Sequence, residues 1–250
     1  MRYLVRLKYN GLEFCGWQIQ PNSTTVQEVI EQKLSMLLNQ SIKATGCGRT
    51  DTGVHARDFY LHFDVDMIGI EAKKLMSKLN SVLPSSIAIT ELRKVSKDFH
   101  ARFSAVSRQY KYYIKMTKDP FKENFWYIRQ RLDINAMRVA SKFLLDCDDF
   151  TSFSKLHTDA KTNLCSITQM DLETSENRIV ITITANRFLR NMVRAIVGTL
   201  VEIGLGKRTP EDMKRIIEAK DRCEAGSSAP ANGLFLTNIT YPSQLIEGIE

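Results

Sequence analysis

Residues 1–10 alternate, with Tyr3, Val5, Leu7 and Tyr9 on one face and Arg2, Arg6 and Lys8 among those on the other. That period of two predicts a half-exposed strand with a basic outer face. A turn-rich stretch from Asn10 to Gln20 leads to Thr25, and the period then changes. Val26, Val29, Ile30, Leu34, Leu37 and Leu38 recur at helical spacing behind a threonine suited to cap the first turn, predicting an amphipathic helix. Residues 42–45 predict a short strand, the glycine-rich polar run around Asp51 a loop, and residues 59–65 a further strand. Asp51 is thereby expected on a loop between strands. A second helix over 71–83, stopped by Pro84, and a strand over 87–92 complete a β-α-β-β-α-β-like series.

The strand pattern restarts after Ser104. Residues 106–114 predict a strand, about 133–145 a helix, 162–184 a hairpin, and 191–203 and 210–219 two later helices. The last of these opens Thr209-Pro-Glu-Asp212, a capping-box variant with proline at the first helical position. The class is α+β, with largely antiparallel mixed sheets flanked by helices. The expected halves are 1–104 and 105–250, similar in element order and joined by no proline-, glycine- or serine-rich linker.

With 250 residues, 43% hydrophobic and 25% charged, the chain can bury a core without disulfides or metals. No window reaches the roughly 18 apolar residues of a membrane span, and residues 1–6 are too polar for a signal peptide, so a cytoplasmic location with no membrane partner is expected. Five cysteines, at 15, 47, 147, 165 and 223, are odd in number and scattered, and the four histidines lack ligand spacing. Reduced thiols and no metal site are expected. Lys and Arg exceed Asp and Glu by 35 − 28 = 7, which suits a polyanionic partner such as nucleic acid and equally a generally solvated positive surface. Arg187, Arg190, Lys207, Arg208, Lys214 and Arg215 form the densest basic region, and a plain solvated helix face accounts equally for the last two.

The densest chemistry lies in Gly46-Cys-Gly-Arg-Thr-Asp-Thr-Gly-Val-His-Ala56. Its glycines give the backbone freedom, and it is longer than the roughly 2 to 5 residues that join short strands. An Asx-turn in which Asp51 bonds nearby amides explains the carboxylate without any function. Two other features fit a functional reading. Arg194 sits at the edge of the apolar stripe Met192, Val193, Ile196, Val197, Leu200 and Val201, where an arginine either reaches solvent or meets a carboxylate. Arg108, Tyr110 and Tyr112 share one face of a strand and offer a ring and a guanidinium to a nucleobase, although tyrosines on strands more often only pack.

The Asp51 run resembles the signature of tRNA pseudouridine synthases of the TruA type. Further family-like segments follow in order: Tyr9-Asn-Gly-Leu-Glu-Phe-Cys-Gly-Trp-Gln18, Phe99-His-Ala-Arg102, Arg108-Gln-Tyr-Lys-Tyr112, Met192-Val-Arg194 with Gly198-Thr-Leu200, and Ala225-Gly-Ser-Ser-Ala-Pro-Ala-Asn-Gly-Leu234. The resemblance implies a pseudouridine synthase fold with a central cleft. It also implies a homodimer sharing one tRNA, no cofactor, and modification on the 3′ side of the anticodon stem-loop. By motif the nucleophile falls on Asp51, the base-contacting tyrosine on Tyr110 with Tyr112 as its rival, and the carboxylate's partner on Arg194. Arg49 and Arg102 are expected to contact RNA or order loops, with structural ion pairs the alternative. Cys47 and Thr52 stand where the family has alanines, which would crowd the loop slightly. Asp58 and Phe59 replace a usual glycine and glutamine, so an RNA contact there would be absent or changed. The first chemical step stays open between attack at C1′, attack at C6 and removal of a ribose proton. Two competing readings are a tRNA-binding module without catalysis and a metal-dependent nuclease using Asp51, Asp64 and Asp66 with His55 or His62.

Overall fold

The computed structural model describes residues 1–66, 71–120, 124–155 and 162–246. The chain forms two compact units, Met1–Ser107 together with the chain from Leu236, and Arg108–Phe235. The restart expected at 104–105 falls at 107–108, and the second unit ends at Phe235 where the sequence pattern carried it to 250.

The first unit contains β1 (Arg2–Tyr9), α1 (Val26–Leu38), β2 (Ala44–Gly46), β3 (His55–Asp64), α2 (Ala72–Val82) and β4 (Ile87–Val95). The second contains β5 (Ser107–Lys115), β6 (Trp126–Tyr127), α3 (Ile134–Lys142), β7 (Ile167–Ser175), β8 (Arg178–Ala185), α4 (Met192–Gly204) and α5 (Asp212–Ala219). Strand β9 (Leu234–Thr240) then returns the chain to the first unit. Neither β6 nor β9 is signalled by periodicity. Leu234-Phe-Leu236 is a continuous buried run, which carries no alternation to read.

In the first unit β1 pairs antiparallel with β3 and β4, and β2 pairs antiparallel with β3. The register sets Tyr3 opposite Phe63, Val5 opposite Leu61 and Leu7 opposite Phe59, and all six side chains are buried. Thr25 caps α1 by accepting the Glu28 amide, and the helix contributes Val26, Ile30 and Leu34 to the core, while α2 adds Leu75 and Leu79. Each such fully buried aliphatic or aromatic side chain stabilises the unit by about 1.5–3 kcal/mol.

The other face of β1 departs from the expected basic, half-exposed surface. Leu4 is fully buried there, beside Tyr60 and His62, and Phe99 and Tyr241 cover this face with ring centroids 5.3 Å apart. Two basic residues of β1, Arg2 and Arg6, are used internally. Arg2 forks onto Asp64 at 2.9 and 2.7 Å and also holds the carbonyls of Lys97 and Phe99, and Arg6 meets Asp58 at 2.5 Å.

In the second unit β8 pairs antiparallel with β5 and β7, and the short β6 runs parallel to β5. Ile114, Ile179, Ile181 and Ile183 are buried on these strands, and α3, α4 and α5 contribute Met137, Ala140, Ile196, Val197, Leu200, Met213 and Ile216. Asp133 caps α3 through the Ala136 amide. Helix α5 starts at Asp212, two residues later than the capping-box pattern predicts. Thr209 and Asp212 do bond, through the Thr209 amide at 2.7 Å and its hydroxyl at 3.1 Å, but Pro210 and Glu211 form a turn ahead of the helix.

Candidate active site

The Asp51 loop spans residues 47–54, between β2 and β3. Strand β3 begins at His55, four residues earlier than expected, which pins the loop's far end into the sheet. Each side of Asp51 is anchored to the segment that follows β1. The Thr50 hydroxyl lies 2.9 Å from the Tyr9 hydroxyl, and the Thr50 carbonyl accepts the Trp17 amide at 3.2 Å. Gly53 donates to the Phe14 carbonyl at 3.4 Å, and the imidazole Nδ1 of His55 accepts the Gly11 amide at 3.1 Å. Between these anchors the Val54 amide closes a turn onto the Asp51 carbonyl, with Gly53 at φ +79° in the position that demands a left-handed residue. Asp51 itself is half-buried. The loop is therefore a built structure, with its backbone fixed from both flanks.

The departures in this segment resolve individually. Cys47 is buried, its amide donating to the Tyr60 carbonyl at 2.8 Å and its sulfur accepting the Tyr60 amide at 3.4 Å, while Thr52 is exposed. Phe59 is a core residue, wholly buried with its ring 4.2 Å from Trp17 and 5.4 Å from Tyr9. Asp58 is buried against Arg6, which also lies over the Tyr60 ring. Burial, with the Asp58 charge beside it, pushes the Tyr60 phenol up to about 12.

Arg49 is exposed on the same loop as Asp51, and Arg102 is exposed in the turn after β4. Tyr110 and Arg194 belong to the second unit. On β5 the two rival tyrosines differ sharply. Tyr112 is fully buried, its ring edge-on to Trp126 and its hydroxyl donating to the Pro230 carbonyl at 2.8 Å. Burial drives its phenol far above the usual range, with the Arg194 charge opposing the shift. Tyr110 is half-buried and meets Phe188 edge-on at 5.1 Å. Of the two, only Tyr110 keeps part of its surface open.

Helix α4 is buried at every position except Arg194 and Glu202. Arg194 Nε donates to the Ala229 carbonyl at 2.7 Å, and the Ala229 amide returns a bond to the Arg194 carbonyl at 2.9 Å. A backbone carbonyl as partner was not among the sequence-based expectations. Two turns on, Glu202 accepts the Ser227 amide and the Arg208 guanidinium, and the Thr199 hydroxyl accepts the Gly226 amide. Segment 225–230 is strapped along α4 in this way. Arg222 holds its outer side through the Ala225 and Gly226 carbonyls and the Ser228 hydroxyl, and Asn191 bonds the same hydroxyl at 2.6 Å. Glu202, Arg222 and Asn191 were missed from sequence, although a lone acid in the apolar run of α4 was a readable signal.

The basic region is partly neutralised within the chain. Arg208 pairs with Glu202, Lys214 with Glu218 and Arg215 with Asp212. Two members of the nuclease constellation, Asp64 and His62, have partners elsewhere. Both Asp64 oxygens hold Arg2, which keeps that carboxyl below its ordinary range, and His62 Nδ1 accepts the Ala101 amide at 3.1 Å. Among the described residues no group of three or more His, Cys, Asp or Glu side chains is placed to hold a metal ion. No helix of the described residues is long and apolar enough to cross a membrane.

A family described as tRNA pseudouridine synthase matches residues 7–104 and 144–242. A protein of Parabacteroides distasonis named tRNA pseudouridine synthase A is 50% identical over 98% of this chain and 97% of its own length. Proteins of the same name from Bacteroides fragilis and Bacillus subtilis are 47% and 39% identical, over 98% and 96% of this chain and 98% and 99% of theirs.

Proposed function

The chain belongs to the tRNA pseudouridine synthase family, and from that premise we propose that it isomerises uridine to pseudouridine in tRNA, with Asp51 as the nucleophile. The observation that carries this reading is the Asp51 loop, whose backbone is fixed by Tyr9, Phe14 and Trp17 with the carboxylate-bearing residue half-exposed at its turn. An Asx-turn alone requires no such support from a distant segment.

The reaction breaks the bond from N1 to C1′, rotates the uracil, joins C5 to C1′, releases the C5 proton and protonates N1, so atoms and electrons balance without a cofactor. A stacked uridine is out of reach of a protein carboxylate, and flipping it out costs a few kcal/mol. Tyr110 is the residue we assign to the flipped base, because stacking returns about 1–3 kcal/mol and Tyr112 is wholly committed to packing. Arg194 supplies the counter-charge that a nucleophilic carboxylate needs in a water-poor site, oriented by its bond to Ala229. Arg49 and Arg102, both exposed, are assigned to RNA contacts. The finer reading places the target on the 3′ side of the anticodon stem-loop, and the enzyme as a cytoplasmic homodimer that shares one tRNA, as the family motifs imply.

Asp51→Asn tests the assignment. The variant binds tRNA as tightly as the parent and releases no tritium from uridine labelled at C5. Residual turnover by the pure variant sinks the nucleophile, and full turnover of the parent in EDTA separates the reaction from metal-dependent cleavage. The parent's tRNA affinity falls steeply with salt, because phosphate contacts release counterions.

A further inference from the structure

Phe103 is the most exposed of the large hydrophobic residues described, with 74% of its surface accessible. Single exposed apolar side chains are ordinary, so exposure alone says little. What sets Phe103 apart is the structure that displays it. The turn from His100 to Ser104 closes through the Ser104 amide onto the His100 carbonyl at 2.9 Å, and the Ser104 hydroxyl accepts the His100 amide at 3.0 Å. His100 Nδ1 accepts the amides of both Arg102 and Phe103 at 3.2 Å, an arrangement that requires the neutral ring. Burial and the nearby Arg2 charge favour that neutral form.

The turn is also fixed from below. Ala101 is fully buried, its amide donating to His62 and its carbonyl accepting the Tyr241 hydroxyl at 2.6 Å. With Ala101 held, its two successors project outward. The His100 ring lies 4.4 Å from the Phe103 ring at an interplanar angle of 32°, and the Arg102 guanidinium sits 5.5 Å from the same ring. An apolar ring is thus kept in water, flanked by an imidazole and a cation, on a rigid turn of the unit that carries Asp51.

We propose that the Arg102–Phe103 turn is an RNA-binding platform on which Phe103 stacks an unpaired nucleobase of the bound RNA while Arg102 meets the adjoining phosphate. Charge selects this occupant, since a guanidinium beside an exposed ring pairs an anion with a flat π-surface, and a nucleotide presents both. The base must be unpaired, because a base within a helix has no free face. This inference rests on the reading that the substrate is tRNA, and it adds a second contact apart from the reacting uridine.

The test uses full-length protein carrying Asp51→Asn, so that turnover does not enter, and measures tRNA binding by anisotropy across a salt series. Phe103→Ala weakens binding roughly 5- to 150-fold, the range that stacking of one base commands. Phe103→Trp retains the parent's affinity, and neither change alters the salt slope, because no charge is lost. Arg102→Ala weakens binding and lowers that slope by about one. Sedimentation of each variant is measured alongside. Unchanged affinity in Phe103→Ala overturns the proposal, as does a loss of affinity that follows loss of the dimer, which would make the ring a contact between copies. Tritium release by the protein with Asp51 intact is scored separately, so failure of the catalytic reading and failure of this platform are distinguishable.

Discussion

Replacing Gly16 with alanine tests whether the backbone beneath the Asp51 loop sets the rate. Gly16 has φ +82°, and a Cβ there would stand 2.4 Å from the Thr50 carbonyl oxygen, with Asp51 and Thr52 backbone atoms at 3.2 and 3.3 Å. Ordinary contact begins at 3.4 Å, so the carbonyl must retreat by 3.4 − 2.4 = 1.0 Å. That carbonyl accepts the Trp17 amide, and the Thr50 hydroxyl meets Tyr9, so the movement pulls on both anchors of the loop. A left-handed conformation costs alanine about 1–2 kcal/mol and overpacking about 1–3 kcal/mol, which together predict a stability loss of about 2–5 kcal/mol. A reacting group displaced by about 1 Å loses on the order of 100-fold in rate. Gly48, on the same loop, is the control, because a Cβ there meets nothing within 4 Å and its φ is not left-handed. Gly48→Ala is expected to stay within about 0.5 kcal/mol of the parent, with its rate changed by less than roughly twofold. Urea denaturation reads the stability and single-turnover tritium release reads the rate, at a temperature where both variants are folded. Equal damage from the two substitutions, or a full rate in Gly16→Ala, refutes the reasoning.

The two tyrosines of β5 separate packing from chemistry. Tyr112→Phe removes the bond to Pro230 and costs about 1 kcal/mol in urea denaturation with the rate kept, whereas Tyr110→Phe keeps tRNA affinity, because its ring still stacks, and loses rate if its hydroxyl takes part in proton loss from C5; an unchanged rate leaves stacking as its only role. Stability also carries a pH signature from His62. Burial, the Arg2 charge and neighbouring His100 lower it from 6.5 to about 4, against a smaller opposing effect of Asp64. The unfolded chain takes up this proton near pH 6.5 and the folded chain does not, so the contribution is intact above pH 6.5 and declines as pH falls toward 4, by about 3 kcal/mol in all. His62→Asn removes this proton uptake, and denaturation midpoints between pH 7 and pH 4.5 show a shallower decline than the parent; equal slopes place the titration elsewhere.

Alternation in β1, the helical repeat behind Thr25 and the apolar run of α4 were legible in the sequence, because each is a local periodicity imposed by one buried face. The run of residue types around Asp51 was legible too, as a dense polar segment that its resemblance to a known family made specific. Tertiary structure alone decided what each residue's surroundings are. Tyr110 and Tyr112 share a strand face and look equivalent by period, yet Pro230 and Trp126, brought from far along the chain, bury only Tyr112. Phe59 stands out in the sequence only as a departure from the family pattern, and the fold is what packs Trp17 on it. Nothing in the sequence around Arg194 signals the Ala229 carbonyl that its Nε reaches. Phe103 gains meaning only from the turn that holds it. For Tyr112, Phe59 and Arg194 the deciding partner lies outside the local pattern, and contact with a distant segment leaves no period in the sequence it covers.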